Sequence, residues 1–241
     1  MSQKPGFHVP RRCLVTGGSG FVGQRLVEML AERGAEIVVS FDLAPAPRDA
    51  MADPRIKYVQ ADISNFDAVK AACKDMDCVF HIAALVGPYH AQQAYRTVNY
   101  QGTVNVVEAC KLHQVHKLVM SSSPSTRFPY PDANVRGYSE EQLFQMNGGD
   151  FAPKFLQAYA ETKAQGEKYV RDACSSELMT VAVAPHQVYG PRDMLFLPNL
   201  LEAAGQGKLM IFGTGGNRIS FTHVDNYCHG LILGAEALYP G

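Results

Sequence analysis

Thr16-Gly17-Gly18-Ser19-Gly20-Phe21-Val22-Gly23 follows a short apolar run, Cys13-Leu14-Val15, and opens an amphipathic run from Phe21 to Arg33. The order reads as strand, glycine turn, helix, with Val22, Leu26, Val27, Met29 and Leu30 on the inward side. Gly17 permits a tight turn that a Cβ would oppose. Gly20 lets the backbone approach a pyrophosphate, and Gly23 lets the helix pack close to the strand. The free N–H groups of the first helical turn then face the phosphates, and the helix dipole adds to the attraction. The spacing is G-x-x-G-x-x-G rather than the tighter G-x-G-x-x-G. A second strand, Glu36 to Phe41, ends in Asp42, which lies 19 residues beyond Gly23. A carboxylate there can accept hydrogen bonds from both hydroxyls of an adenosine ribose. Gly17, Gly20, Phe21, Val22, Gly23 and Asp42 are therefore candidate contacts for a dinucleotide.

The 241 residues are 46% hydrophobic with a net charge of −1, enough apolar material for one globular domain, or one domain with a small appendage. Near neutrality argues against a nucleic-acid footprint. No uninterrupted apolar run reaches the ~18 residues of a membrane span, and the polar start, Met1 to Arg12, lacks the apolar core of a signal peptide. The six cysteines are scattered through apolar patterns and read as reduced core residues of a reducing compartment. Cys73 and Cys78 have no His or Cys neighbours at zinc spacing, so no metal site is expected.

Beyond Asp42 the pattern alternates. Strands are expected at Ile56–Gln60, Cys78–Ile82, Leu118–Met120 and Met179–Ala184. Helices are expected after Ser64, read as an N-cap with Asp67, and over roughly Ala91–His113, Ser139–Met146, Phe155–Cys174, Pro198–Gly205 and Asp225–Leu238. A hairpin is expected between Leu209–Phe212 and Arg218–Thr222. This β-α-β order predicts an α/β fold with a parallel, doubly wound sheet. Asp62 with Ile63, and the small pair Ala83-Ala84, fall at carboxyl ends of strands, where such sheets bind ligands. Asn99 sits among valines, where a buried amide must either brace backbone or hold a water. The long polar and aromatic segment between Ser123 and Tyr159 reads as a functional lid or a mobile loop.

Tyr159 and Lys163 stand at i and i+4 and so share one helix face. A phenol titrating near 10 is a poor base at neutral pH, and a nearby ammonium favours its phenolate. Such a phenol can take a proton from an alcohol as its hydride leaves, and return it in reduction. Ser123, after the fifth strand, can hydrogen-bond the same oxygen.

Taken together, these motifs resemble the extended short-chain dehydrogenase/reductases. Thr16 to Gly23 is similar to that family's glycine motif, and His81-Ile82-Ala83-Ala84 to the motif after its fourth strand. Asn99, Ser123, Tyr159 and Lys163 fall on its catalytic positions. The resemblance implies a Rossmann-type domain over residues 1–185 and a small, truncated substrate lobe over 186–241. It implies Tyr159 as acid/base, Lys163 on the nicotinamide ribose, Ser123 on the substrate oxygen, and Asn99 in a proton-relay or helix-shaping role. Pro185 and Val188 join the expected cofactor contacts, and the cofactor implied is NAD.

Pro185-His186-Gln187-Val188-Tyr189-Gly190-Pro191-Arg192-Asp193, then Leu197-Pro198, Phe212-Gly213 and Phe221-Thr222-His223-Val224-Asp225-Asn226, are similar to the 3β-hydroxysteroid dehydrogenase group, including its decarboxylating 4α-carboxysterol branch. That implies a sterol-like substrate and a homodimer. It also implies a cytoplasmic setting or, in a eukaryote, the cytoplasmic face of the endoplasmic reticulum, with a membrane anchor only beyond Gly241. Ala184 stands where this group often has arginine. Two other readings stand beside it: a nucleotide-sugar epimerase of the extended family, which would use the same Ser123, Tyr159 and Lys163, and a non-catalytic dinucleotide-binding protein, against which that intact set argues.

Overall fold

The computed structural model describes residues 9–87, 90–127, 137–146, 151, 155, 157–211, 213–216 and 218–239. Six parallel strands form one sheet: β1 (Arg12–Thr16), β2 (Ile37–Asp42), β3 (Ile56–Gln60), β4 (Cys78–His81), β5 (Lys117–Ser121) and β6 (Met179–Val183). Their order is β3-β2-β1-β4-β5-β6, so the winding reverses between β1 and β4. Alternate residues of one strand face opposite sides. Cys13 and Val15 of β1 join a core with α1 (Phe21–Glu32) and α8 (Val224–Glu236). Leu14 joins the opposite core with α2 (Phe66–Cys73), α4 (Gly102–Leu112) and α6 (Ala158–Asp172). α8 falls in sequence beyond the division expected at residue 185, yet Tyr227, Cys228, Leu231 and Ile232 are core residues of the sheet. Five of the cysteines are buried and free; Cys174 is exposed, outside the core expected for it.

Several local expectations are corrected. Asn65, not Ser64, caps α2, its side chain accepting from the Ala68 N–H at 3.2 Å, while Asp62 accepts from Ser64 N–H at 2.8 Å. The helix expected at 91–113 is three segments: α3 (Gln92–Tyr95), a π-helical stretch (Arg96–Gln101) and α4. The helix expected from Phe155 begins at Ala158. Ser139 does open α5 (Glu140–Met146) through a reciprocal box with Gln142.

The hairpin expected near Gly213 does not form: Leu209 to Ile211 carry no strand, and Phe212 lies outside the described residues. Instead β8 (Phe221–His223) runs parallel to β7 (Gln187–Tyr189), because Tyr189 packs edge-on against both Phe221 and His223. Before β8, α7 (Phe196–Gly205) has no buried residue and exposes Leu197, Leu200 and Leu201.

The switch in winding brings the turns after β1 and β4 into contact. Gly17 has φ +72°, and a Cβ on it would lie 2.7 Å from the Ala83 nitrogen. Gly23 packs against the glycine turn itself rather than the strand: its Cβ would lie 1.9 Å from the Gly17 carbonyl oxygen. That carbonyl cannot retreat freely, since it accepts from the Gly20 N–H at 3.1 Å. Gly23→Ala should therefore cost at least the roughly 1–3 kcal/mol of an overpacked core position. Thermal melts followed by circular dichroism should show a lowered midpoint with the helical signal kept at low temperature.

Candidate active site

A cavity of about 740 Å³ lies over the switch point. Gly17, Gly20, Phe21, Val22 and Gly23 line it, as do Asp42, Asp62, Ile63, Ala83, Ala84, Pro185 and Val188, together with Ser123, Tyr159 and Lys163. The volume is in the ordinary range for small-molecule sites. Asn99 is the one sequence-predicted site residue outside this lining.

The start of α1 is built for an anion. Gly20 is its N-cap, and no side chain of the described residues caps the first turn. Those N–H donors therefore stay available at the positive end of the helix dipole. Asp42 accepts from Ser19 N–H at 3.0 Å and from Ala44 N–H at 2.9 Å, one bond to each carboxylate oxygen. A carboxylate offers about four acceptor sites, so both oxygens can still take a hydroxyl.

At the other end of the cavity, β5 and α6 present the reactive side chains. Lys163 is buried at 2% exposure and donates to the Ser121 carbonyl at 2.6 Å. Burial lowers its pKa to about 8, against an opposing push from Glu167. Burial likewise raises the Tyr159 phenol, while the Ser123 hydroxyl beside it pulls the other way. The expectation of a phenol depressed by Lys163 is thus corrected: desolvation dominates and raises the phenol, while the ammonium donates to Ser121. Ser123 also meets the Ser125 hydroxyl at 2.8 Å. Tyr227 of α8 reaches in, donating to Ser121 Oγ at 2.8 Å. Its part was hidden in the sequence, because nothing in a helix 106 residues downstream of Ser121 marks it as a neighbour.

Asn99 braces backbone. Its Oδ1 accepts from Leu85 N–H at 2.7 Å and its Nδ2 donates to Leu85 oxygen at 3.2 Å, fixing the loop after Ala84. Behind it runs a buried chain of hydrogen bonds that sequence reading passed over. Thr103 Oγ1 donates to the Asn99 carbonyl at 2.7 Å, so its one proton is committed and it must accept from His81 Nε2 at 2.9 Å. The His81 Nδ1 is then an acceptor for Thr16 Oγ1 at 2.8 Å. Thr16 in turn accepts from Ala83 N–H at 3.3 Å. A histidine closing the apolar run Cys78-Val79-Phe80 was the available signal, since a buried polar group must find partners. This relay ties the turn after β1 to the π-helical stretch and fixes the imidazole as the neutral Nε2–H tautomer.

The model of the 3-beta hydroxysteroid dehydrogenase/isomerase family matches residues 14–240. Over 231 residues the chain is 36% identical to human sterol-4-alpha-carboxylate 3-dehydrogenase, decarboxylating, a match covering 95% of this chain and 58% of that protein. It is 35% identical over 232 residues to 2-alkyl-3-oxoalkanoate reductase of Stenotrophomonas maltophilia (strain K279a), covering 95% and 67%. Among solved structures, the UDP-glucose 4-epimerase of Thermus thermophilus in complex with NAD superposes with a TM-score of 0.76 at 26% identity, covering 94% of this chain and 75% of that one. The chain spans 58–61% of the length of the mammalian sterol-4-alpha-carboxylate relatives.

Burial lowers the His81 pKa to about 3, and the neighbouring Lys163 charge adds to this. In the unfolded chain the ring titrates near its ordinary ~6.5. Between those values the unfolded state binds the extra proton, so stability is full above about pH 6.5 and falls as pH drops towards 3. Thermal midpoints measured across that window should decline in the parent. In His81→Gln the midpoint should start lower and show a shallower decline.

Proposed function

Because the chain belongs to the 3-beta hydroxysteroid dehydrogenase/isomerase family, we propose that it binds NAD across the switch point and oxidises a secondary hydroxyl of a sterol-like ring. The observation that carries this reading is that one cavity joins the uncapped start of α1 and Asp42 to Ser123, Tyr159 and Lys163. The first set suits a pyrophosphate and a ribose, and the second suits a proton at a carbinol oxygen. Bound NAD supplies the hydride acceptor. Ser123 orients the hydroxyl oxygen. The Tyr159 phenolate takes its proton; burial opposes that phenolate, and the positive nicotinamide ring favours it. In the reverse direction the phenol that burial keeps protonated is the proton donor.

The relatives narrow the substrate. One acts, by its name, at C3 beside a carboxylated C4, and another on a 2-alkyl-3-oxoalkanoate. In both the reacting carbon neighbours a carbon that bears a carboxylate. Oxidation of such an alcohol gives a β-keto acid, which loses CO₂ readily. We therefore favour a 4-carboxysterol or a similar apolar β-hydroxy acid. The epimerase likeness supports a second reading, in which the same Ser-Tyr-Lys set acts on a sugar nucleotide with no net change in NAD. Incubating the chain with NAD and each substrate class separates them: net NADH with a 3β-hydroxy-4-carboxysterol supports the first, and epimerised sugar nucleotide without NADH overturns it.

On this reading Tyr159→Phe should lower kcat by at least roughly 10²-fold, with NAD affinity by fluorescence titration nearly unchanged. Retention of most activity would show that another group moves the proton. NAD should bind more tightly than NADP, because Asp42 repels a 2′-phosphate and no arginine follows it directly. Parallel titrations of both cofactors should show that preference narrowed in Asp42→Ala.

A further inference from the structure

Glu167 is fully buried on α6, one helical turn beyond Lys163. Its carboxylate accepts from the Ser122 hydroxyl on one oxygen and is gripped by the Arg127 guanidinium, which reaches both oxygens. Ser122 and Arg127 are the two ends of a short segment. Between them Ser123 is the N-cap of a single 3₁₀ turn, Pro124–Thr126. Inside the segment the Ser123 carbonyl accepts from Thr126 N–H at 3.2 Å and from Thr126 Oγ1 at 2.8 Å. Arg127 Nη1 donates to that same Thr126 hydroxyl at 2.8 Å. The carboxylate therefore holds both ends of the turn and, through Arg127 and Thr126, its middle.

We propose that Glu167 is a positioning residue whose buried carboxylate fixes the Ser122–Arg127 turn on α6, and so sets the Ser123 hydroxyl against the Tyr159 phenol. This rests on reading Ser123 and Tyr159 as the reacting pair. Tyr159, Lys163 and Glu167 stand at i, i+4 and i+8 and face the end of β5 together. Lys163 ties α6 to the Ser121 carbonyl, and Glu167 ties it to the next residue. Two links one turn apart define the helix against the strand end in both rotation and translation. Without the Glu167 link the Ser122–Arg127 turn would lose its anchor on α6, and Ser123 could shift away from Tyr159. The alternative is that the ion pair only helps the chain fold. Buried pairs are weak evidence for stability, since apolar replacements of both partners are often neutral, so the pair calls for another reason.

The test reads the Tyr159 phenol directly and needs no substrate. In the full chain labelled with ring-¹³C tyrosine, the Tyr159 signal is assigned by its loss in Tyr159→Phe and titrated with pH. Ser123→Ala should move this titration upward, because the neighbouring hydroxyl that favours phenolate is gone. Glu167→Gln should move it upward by a similar amount, and the double variant Ser123→Ala/Glu167→Gln no further than Ser123→Ala alone. Residues acting through one another are non-additive in this way. An unchanged Tyr159 titration in Glu167→Gln, or additive shifts, would overturn the proposal while leaving the Ser123–Tyr159 pair intact. No shift in Ser123→Ala would instead overturn that pairing, and the proposal with it.

Glu167→Gln leaves Arg127 charged and buried. Should that variant fail to fold, Arg127→Met combined with Glu167→Met covers the case. The combination should recover the thermal midpoint while Tyr159 stays shifted. Recovery of both together would mean a purely structural role and would overturn the proposal.

Discussion

The contact between two backbone turns, one after β1 and one after β4, is the constraint on which the site depends. Gly17 stands with its missing side chain against Ala83, and its N–H donates to the Phe41 carbonyl at 2.8 Å. Three strand ends thereby meet around one turn. The same closeness sets α1: Gly23 lies on the Gly17 carbonyl, so the helix can only start where its free donors open onto the cavity. A Cβ at Gly17 pushes the two turns apart, and one at Gly23 pushes α1 off the turn after β1. The ends of β1, β2 and β4 would then no longer share a floor.

Polar groups behind this floor satisfy one another. The relay from Ala83 through Thr16, His81 and Thr103 to Asn99 has one consistent direction, because each hydroxyl has a single proton to give. A charged His81 would put a proton on Nδ1 facing the Thr16 hydroxyl and leave that hydroxyl without its acceptor. Burial, which keeps the ring neutral, is therefore also what keeps the chain of donors ordered. One helical turn beyond Lys163 on α6, the carboxylate of Glu167 does the equivalent work with charge. Two polar systems, one neutral and one ionic, meet the helix that carries Tyr159 and Lys163.

Much of this was legible in order along the chain. The glycine turn, the acid after the second strand, the serine after the fifth and the Tyr-x-x-x-Lys step are local signals, because each needs only a turn, a strand end or a helical period to be read. The six strands of the sheet and the helix carrying Tyr159 follow from apolar periodicity for the same reason. What failed was local pattern without tertiary support. The Leu209–Thr222 stretch reads like a hairpin, but its last strand pairs with β7, where Tyr189 packs edge-on against Phe221. Ser64 and Asn65 were both chemically able to cap α2, and only the path of the chain past Asp62 chose between them.

The sequence by itself determined a doubly wound sheet, the place of the dinucleotide turn, and which side chains could handle a proton, since these depend on residue type and spacing within one element. Only the tertiary structure decided the charge state and the neighbours of those side chains. Lys163 is turned to Ser121 and Tyr159 is pushed towards its protonated form by burial that helical spacing does not encode. Tyr227 and Glu167 enter the site's surroundings from positions 106 and 45 residues away from their hydroxyl partners. Such pairings arise when the sheet stacks its helices, because proximity across a core is a property of packing and not of sequence distance.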